Sequence, residues 1–538
     1  MDERMAVTLL AVPVFARSLD ELRRRLAAAA AAGADLIELR LDLLEGVSDE
    51  DLWQLRREGA IPRPLLLTIR SVPEGGAWDG PEDERIARLI RLGPIADYLD
   101  VELAAWRRSA NLRQKVGLAL RRAGRVSQEG GREEIELAAR RKLILSRHDL
   151  RGRPPALHAD WVAMLEEPLC GVVKLAWPAR TVRDNFEAFD LLRDSPRPAV
   201  VICLGEAGLP SRVLAPKFGA FAGFAALAED AATAPGQLSA AELRETYHWA
   251  DINSSTLVYG VIGDPVRHSL GRRVHNPNFR AVGWNGVYLP WEVAASWEAF
   301  KAFMVEVLAR PWLDARGFSV TLPHKENALR FVREAGGTVD PAAARIGAVN
   351  TLSLTAAGHL TAYNTDGPAA VEAIVAGLGL SRADELKGRK AAVLGAGGVA
   401  RAVVAELTAA GADLTIYNRS LKRGQRLAAE FGCRCREWGH RAAHDADLVV
   451  NCTSLGMRPG VGESPMPAEG LRAGLTVFDT VYNPLRTRLL DEAAARGCQW
   501  IDGLEMYVRQ ARAQFRIWTG HTLDLDALRQ QARSLLET

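Results

Sequence analysis

The chain has 538 residues, a formal net charge of +2 and 25% charged residues, so it is too long for one hydrophobic core and lacks the basic excess that binding nucleic acid requires. Small-molecule ligands are expected instead. Six scattered cysteines point to thiols in a reducing compartment, and no metal site is expected, because Cys433 and Cys435 lack a second ligand pair. The acidic start Met1-Asp-Glu-Arg-Met5, together with the lack of any apolar stretch approaching about 18 residues, predicts a cytoplasmic chain that crosses no membrane.

From the N-terminus to about residue 230, eight β-rich runs alternate with longer helical stretches: Leu9 to Phe15, Leu36 to Asp42, Pro64 to Ser71, Tyr98 to Leu103, Lys142 to Asp149, Gly171 to Trp177, Ala199 to Gly205 and Phe218 to Phe224. Runs of Val, Ile and Leu without strict alternation suit strands buried on both faces, and eight βα repeats predict a closed (β/α)8 TIM barrel. The alanine run from Leu26 to Ala32 reads as a surface helix, alanine being the best helix former.

Reactive groups in such a barrel belong at the C-terminal strand ends, and polar residues gather there. The second run carries Glu38, Arg40 and Asp42, whose alternation points all three to one side. The third ends at Arg70 and Glu74, the fifth at His148, and the sixth holds Lys174 within Gly171-Val-Val-Lys-Leu-Ala-Trp177. A lysine desolvated in an apolar strand loses its proton more easily, which suits Schiff-base chemistry. Ser211-Arg212 follows the seventh run, and Thr233 to Gln237 follow the eighth.

These motifs, in this order, resemble the type I 3-dehydroquinate dehydratases over nearly the whole first half of the chain, residues 1–249. The resemblance implies that Lys174 forms an imine with a ketone substrate and that His148 moves protons, with Glu74 beside the histidine. It also implies that Arg212 holds the substrate carboxylate, and that Glu38, Arg40, Arg70 and Gln237 contact substrate or fix the lysine's surroundings. Thr233 stands where that family usually has serine.

A last barrel helix is read over Gln237 to His248, then a short polar connection to Thr256 and a strand from Leu257 to Ile262. Residues 257–365 mix β and α patterns and form the expected substrate-binding part. Residues 366–538 are expected to form a Rossmann domain, because Lys390-Ala-Ala-Val-Leu-Gly395-Ala-Gly397-Gly-Val-Ala400 is a strand running into a glycine-rich turn that opens a helix. Gly395, Ala396, Gly397, Gly398, Val399 and Ala400 are the candidate pyrophosphate cradle. The next strand, Asp413 to Tyr417, ends in Asn418, Arg419 and Ser420, with Arg423 following; arginines in place of an acid predict NADP rather than NAD. Lys325 closes Gly317-Phe-Ser-Val-Thr-Leu-Pro-His-Lys325 and reads as a cationic proton donor in a polar loop.

This second half resembles the shikimate dehydrogenases through Val261-Ile-Gly-Asp-Pro-Val-Arg-His-Ser269 with His275-Asn276, Val320 to Lys325, Gly347-Ala-Val-Asn350, Asn364-Thr-Asp366, Asn451 to Met457, Asp479-Thr-Val-Tyr482 and Asp502 to Met506 with Gln510. The resemblance implies that Lys325 and Asp366 are the catalytic pair and that Ser269, Thr321, Asn350, Tyr482 and Gln510 bind substrate. Four positions depart from the family pattern. Gly271-Arg272 replaces the second serine and the proline of Ser-x-Ser-Pro, Ser319 replaces asparagine, and Ala362 replaces glycine. The room left at Gly271 could accept the extra hydroxyl of quinate, so a quinate dehydrogenase is an open alternative, as is a metabolite sensor without activity. The expected sequence of reactions dehydrates 3-dehydroquinate to 3-dehydroshikimate and reduces that to shikimate with NADPH. A homodimer formed through the barrel is compatible with this reading.

Overall fold

A computed structural model describes residues 7–61, 64–127, 142–228, 231–267 and 269–537, without the side chains of 121–127; the Met1 to Met5 start and His268 lie outside these residues. The chain divides into two compact units, Met1–Thr256 and Leu257–Thr538.

The first unit is a parallel eight-stranded sheet ordered β7-β6-β5-β4-β3-β2-β1-β8. Its strands are β1 Leu9–Val14, β2 Leu36–Arg40, β3 Leu65–Thr68, β4 Tyr98–Glu102, β5 Leu143–His148, β6 Val172–Pro178, β7 Ala199–Leu204 and β8 Ala222–Phe224. Phe221 brings the two edges together: its N–H donates to the carbonyl of Ala199 (2.7 Å) and its carbonyl accepts from the N–H of Leu9 (3.0 Å). The barrel fold expected from the repeats is therefore present.

Several boundaries differ from the sequence reading. Strand β2 stops at Arg40, and Asp42 lies in a 3-10 turn, Leu41–Leu43. The last run shortens to β8 because Pro216 starts a 3-10 turn that ends at Gly219, in the left-handed region at φ +65°. The helix read over Gln237 to His248 is confined to Ala240–Glu245.

Period-two alternation along the strands builds the barrel interior in layers. Leu36, Leu66, Ile144, Val172 and Val200 belong to one buried apolar cluster. Two residues further along β2, β3, β5 and β6 stand Glu38, Thr68, Ser146 and Lys174, and β4 contributes Asp100. An apolar floor thus supports a polar layer nearer the C-terminal mouth.

The second unit holds two six-stranded sheets. The first, ordered β10-β9-β11-β13-β14-β12, is mixed and comprises β9 Leu257–Gly263, β10 Gly286–Glu292, β11 Ala315–Val320, β12 Thr338–Val339, β13 Thr351–Leu354 and β14 Leu360–Tyr363. The second comprises β15 Lys390–Leu394, β16 Asp413–Asn418, β17 Arg434–Glu437, β18 Leu448–Asn451, β19 Thr476–Asp479 and β20 Gln499–Ile501. Its all-parallel order β17-β16-β15-β18-β19-β20 is that of a Rossmann sheet, with the strand order reversing beside β15. Helix Gly503–Thr519, capped by the Asp502 carboxylate on the N–H of Glu505, buries Leu504, Tyr507, Val508, Ala511, Phe515 and Trp518. It lies on the mixed sheet: Trp518 Nε1 donates to the carbonyl of Leu352 (3.0 Å), and Gly317 leaves the space for that indole, since a Cβ there would lie 2.2 Å from Nε1.

Among the described residues no helix is long and apolar enough to cross a membrane, and the six cysteines are unbridged.

Candidate active sites

Lys174 is buried, as a charge in the run Val172–Pro178 suggests, but it is not isolated. Its Nζ lies 3.0 Å from Asp100 Oδ2, 3.4 Å from Glu38 Oε1 and 4.4 Å from the centre of the Phe224 ring. Within that apolar run Val173 and Leu175 point away from the interior, while Lys174 points into the polar layer. Asp100 also accepts from Arg70 Nη2 (2.8 Å) and Ser146 Oγ (2.5 Å), and Glu38 accepts from Thr68 Oγ1 (3.0 Å). Burial opposes ionisation of Asp100, but Arg70 and Lys174 outweigh it and hold the carboxyl well below the usual range. Two carboxylates beside an amine are placed to stabilise an iminium cation.

His148 ends β5, two residues beyond Ser146, which lies opposite Lys174 on the neighbouring strand. Glu74 Oε2 accepts the backbone N–H of His148 (2.9 Å) and lies 3.1 Å from its Nδ1. Because this oxygen already serves as an acceptor, the proton on the ring belongs on Nδ1, and Nε2 carries the free lone pair. Burial, then the charges of Arg70 and Lys174, push His148 well below its usual pKa, so the ring is a neutral base at pH 7. Burial pushes the Glu74 carboxyl up to about 7. Its Oε1 makes no hydrogen bond and can hold that proton, with Arg147 Nη1 3.5 Å away.

Arg212, on the short helix Leu209–Val213, is buried, yet none of the ion pairs among the described residues includes it. Its Nη2 donates to the carbonyl of Pro235 (3.1 Å), its Nε has no partner, and burial lowers its pKa to about 10. A buried guanidinium without a counter-charge is a ready site for an anionic ligand. Thr233 and Gln237 are joined, with Gln237 Oε1 accepting from the Thr233 N–H (2.8 Å) and Oγ1 (3.2 Å). Arg40 is occupied by Asp42 through two bonds of 3.0 and 2.7 Å.

In the second unit Lys325 is not in a polar loop. It is the first residue of helix Lys325–Glu334, buried, and its Nζ lies 2.5 Å from Asp366 Oδ2. A helix N-terminus disfavours a cation and favours an anion, and Asp366 itself opens helix Asp366–Gly377, so the carboxylate is doubly supported and in turn holds the ammonium. Asn364 Oδ1 fixes the turn by accepting the N–H of Asp366 (3.0 Å). Asn350 Oδ1 accepts the N–H of Thr365 (2.7 Å) and its Nδ2 donates to Thr365 Oγ1 (2.9 Å), which places Asn350 next to the Lys325–Asp366 pair. Thr321 follows β11 with its methyl against Gly263, where a Cβ would come within 2.4 Å. Tyr482 packs on Tyr507, ring centres 4.7 Å apart; Ser269 and Gln510 are half-buried, at the approach to helix Gly271–Ala281 and on helix Gly503–Thr519. Arg272 turns to the carbonyl of Arg267 (2.9 Å).

The glycine-rich turn meets the lysine directly. A Cβ on Gly398 would lie 3.1 Å from Lys325 Cδ, so the start of helix Gly398–Ala409 and the Lys325 side chain are neighbours. Gly395 stands at φ +110°, open to glycine alone, whereas a Cβ on Gly397 would meet nothing within 4 Å. That free space at a helix N-terminus fits a pyrophosphate. Beyond β16, Arg419, Ser420 and Arg423 are exposed, and no ion pair among the described residues uses either arginine. Asn418, which bonds the carbonyl of Ser420 (2.8 Å), stands where an acid would repel a 2′-phosphate. The residues present fit a dinucleotide carrying that phosphate.

Three residues of these sites were assigned no role from the sequence. Asp100 and Glu102 alternate in Tyr-Leu-Asp-Val-Glu, and two acids in a buried strand were the signal. Glu102 accepts from Ser71 and pairs with Arg85 (2.8 Å), anchoring the loop that carries Glu74. Asp479, within a quoted motif, accepts from Asn451 Nδ2 (2.8 Å), Thr487 Oγ1 (2.7 Å) and the N–H of Val481 (3.0 Å), fixing the turn before Tyr482.

Comparison with known proteins gives matches in both units. The family model for type I 3-dehydroquinase matches residues 10–254. Models for the shikimate dehydrogenase substrate binding domain, shikimate / quinate 5-dehydrogenase and the shikimate 5'-dehydrogenase C-terminal domain match residues 261–352, 378–457 and 503–533. A bifunctional 3-dehydroquinate dehydratase/shikimate dehydrogenase, chloroplastic, of Arabidopsis thaliana is 35% identical over 530 residues, covering 95% of this chain and 82% of the relative. A shikimate dehydrogenase (NADP(+)) of Methanosarcina mazei is 40% identical over 291 residues, 52% of this chain and 99% of the relative. The crystal structure of shikimate 5-dehydrogenase from Thermus thermophilus with NADP(H) and shikimate shares 38% identity at a TM-score of 0.46, covering 52% of this chain and 99% of that one.

Proposed function

The chain belongs to the family of bifunctional 3-dehydroquinate dehydratase/shikimate dehydrogenases, and from that membership we propose that it carries out two successive steps, each centred on one buried lysine. In the first, the amine of Lys174 attacks the ketone of 3-dehydroquinate, water leaves, and an iminium forms between Asp100 and Glu38. The iminium acidifies the adjacent C–H, and His148 takes that proton on Nε2. The same proton returns to the hydroxyl that departs as water, and hydrolysis of the imine frees the lysine and 3-dehydroshikimate. Glu74 orients the histidine, and Arg212 holds the substrate carboxylate.

The second unit uses NADP, the cofactor named for the Methanosarcina mazei relative, with Gly397, Gly398, Arg419, Ser420 and Arg423 holding it. When bound, it supplies or accepts the hydride at the substrate carbon. Lys325, held by Asp366, donates the proton that turns the developing alkoxide into a hydroxyl. Ser269, Thr321, Asn350, Tyr482 and Gln510 orient the substrate. Shikimate is favoured over quinate because the room beside Gly271 is filled rather than empty: a Cβ there would lie 2.6 Å from Tyr288 Cε1.

The observation that carries the two-step reading is the pairing of each buried amine with a carboxylate, Lys174 with Asp100 at 3.0 Å and Lys325 with Asp366 at 2.5 Å. His148, Lys174, Lys325 and Asp366 are all present, which disfavours a sensor that binds without reacting. Borohydride should trap a covalent adduct of substrate on the wild-type chain, and K174A should abolish it; full-stoichiometry trapping on K174A would exclude the imine. NADP reduction with shikimate and with quinate tests the second half.

A further inference from the structure

Two of the positions at which this chain departs from the dehydrogenase pattern, Gly271 and Ser319, meet on one side chain. The phenol of Tyr288 already occupies the volume a side chain at 271 would take, since a Cβ on Gly271 would lie 2.6 Å from its Cε1 and 2.9 Å from its hydroxyl oxygen. Tyr288 is 1% exposed, with the His275 ring at 4.7 Å and the Trp518 ring at 6.0 Å. Its backbone is pinned by both ends of the Asn276 amide, at 2.6 and 3.0 Å. The ring therefore has no free direction in which to move.

The hydroxyl of Tyr288 donates to Ser319 Oγ (2.8 Å), which donates to Gln514 Oε1 (2.8 Å). The direction of this chain is set at its far end: Gln514 Nε2 donates to the carbonyl of Asn350 (3.2 Å), a group that only accepts, and to Thr351 Oγ1 (3.0 Å). Gln514 must therefore present its oxygen to Ser319, and Ser319 must give its proton to Gln514. The proton of Tyr288 is thereby committed to Ser319, so the phenol fills the room at 271 without restoring the donor lost there. An asparagine at 319 would put two more heavy atoms where the hydroxyl now sits. Gly271 and Ser319 are the small residues that admit the phenol.

We propose that Tyr288 is a specificity-determining residue of the dehydrogenase: admitted by Gly271 and tied to Ser319, its phenol closes the pocket beside Ser269 to a second substituent on the carboxylate-bearing carbon. Shikimate, whose carboxylate sits on a planar ring carbon, fits; quinate, with a hydroxyl on that carbon, is refused. This rests on the shikimate dehydrogenase reading and on Ser269 as a carboxylate donor.

The test measures kcat/KM for shikimate and quinate, with NADP, on the full chain and on Y288F, Y288L and G271S, with NADP binding as the check that the second unit is folded. Y288F keeps the ring and should hold the shikimate-to-quinate ratio within about 3-fold. Y288L empties the room and should lower that ratio at least 10-fold. G271S drives a side chain into the phenol and should lower kcat/KM for shikimate at least 10-fold, and this variant decides the matter if Y288L does not fold. An unchanged ratio in folded Y288L, full activity in folded G271S, or a wild-type preference for quinate overturns the proposal and leaves the NADP dehydrogenase standing. A wild-type chain that oxidises neither substrate refutes the dehydrogenase reading, and the proposal with it.

Discussion

Replacing Glu74 with glutamine should make the barrel more stable and less active at once. Burial moves the Glu74 carboxyl from its ordinary 4.5 up to about 7, a displacement equivalent to about 3 kcal/mol. Between those pH values the folded barrel holds a proton that the unfolded chain has released. Stability therefore falls as pH rises through the window, and the full penalty is present above pH 7. Glutamine imitates the protonated acid: its oxygen can accept the His148 N–H and Nδ1–H as Oε2 does, and its NH2 takes the place of Oε1, which makes no hydrogen bond and lies 3.5 Å from Arg147 Nη1. At pH 8, E74Q should gain up to about 3 kcal/mol, and near pH 4.5 the two proteins should converge. Dehydratase kcat should fall by roughly 100-fold or more, since the amide cannot balance charge on the histidine. Urea-dependent hydrogen exchange in peptides from β3 and β5 reports the barrel without the second unit. Equal or lower stability of E74Q at pH 8 would show that the charges of Arg70 and Arg147, not burial, govern this carboxyl, and would refute the reasoning.

Arg212 carries a second opposition of the same kind. R212M should raise KM for 3-dehydroquinate roughly 10- to 100-fold by removing a charged hydrogen-bond donor. The same variant should stabilise the barrel at neutral pH by up to about 3 kcal/mol, because burial lowers the guanidinium to about 10 and no carboxylate among the described residues offsets the cost. Steady-state kinetics and the same exchange experiment measure both. For the cofactor, the double variant R419A/R423A should raise KM for NADPH at least 10-fold and leave the weaker reaction with NADH nearly unchanged; equal losses with both would place the 2′-phosphate elsewhere.

The sequence by itself determined the two-unit plan and pointed to the residues proposed for its chemistry. Strands buried on both faces must be apolar throughout, so the barrel runs stand out, and a charge such as Lys174 inside one of them is conspicuous for the same reason. The glycine-rich turn was legible because Gly395 adopts a backbone conformation that other residues rarely take. Only the tertiary structure decided what each charge meets. Lys174 faces Asp100 across 74 positions and Glu38 across 136, through strand register and barrel closure that no local pattern encodes. Lys325 read as part of a polar loop because its neighbours are polar, yet folding presses it against Gly398 and Asp366. Gly271 read as a vacancy, and Tyr288, from the next strand, fills it. Spacing along a chain sets which residues share a face; which side chain occupies the space opposite is settled by packing, where every atom excludes every other.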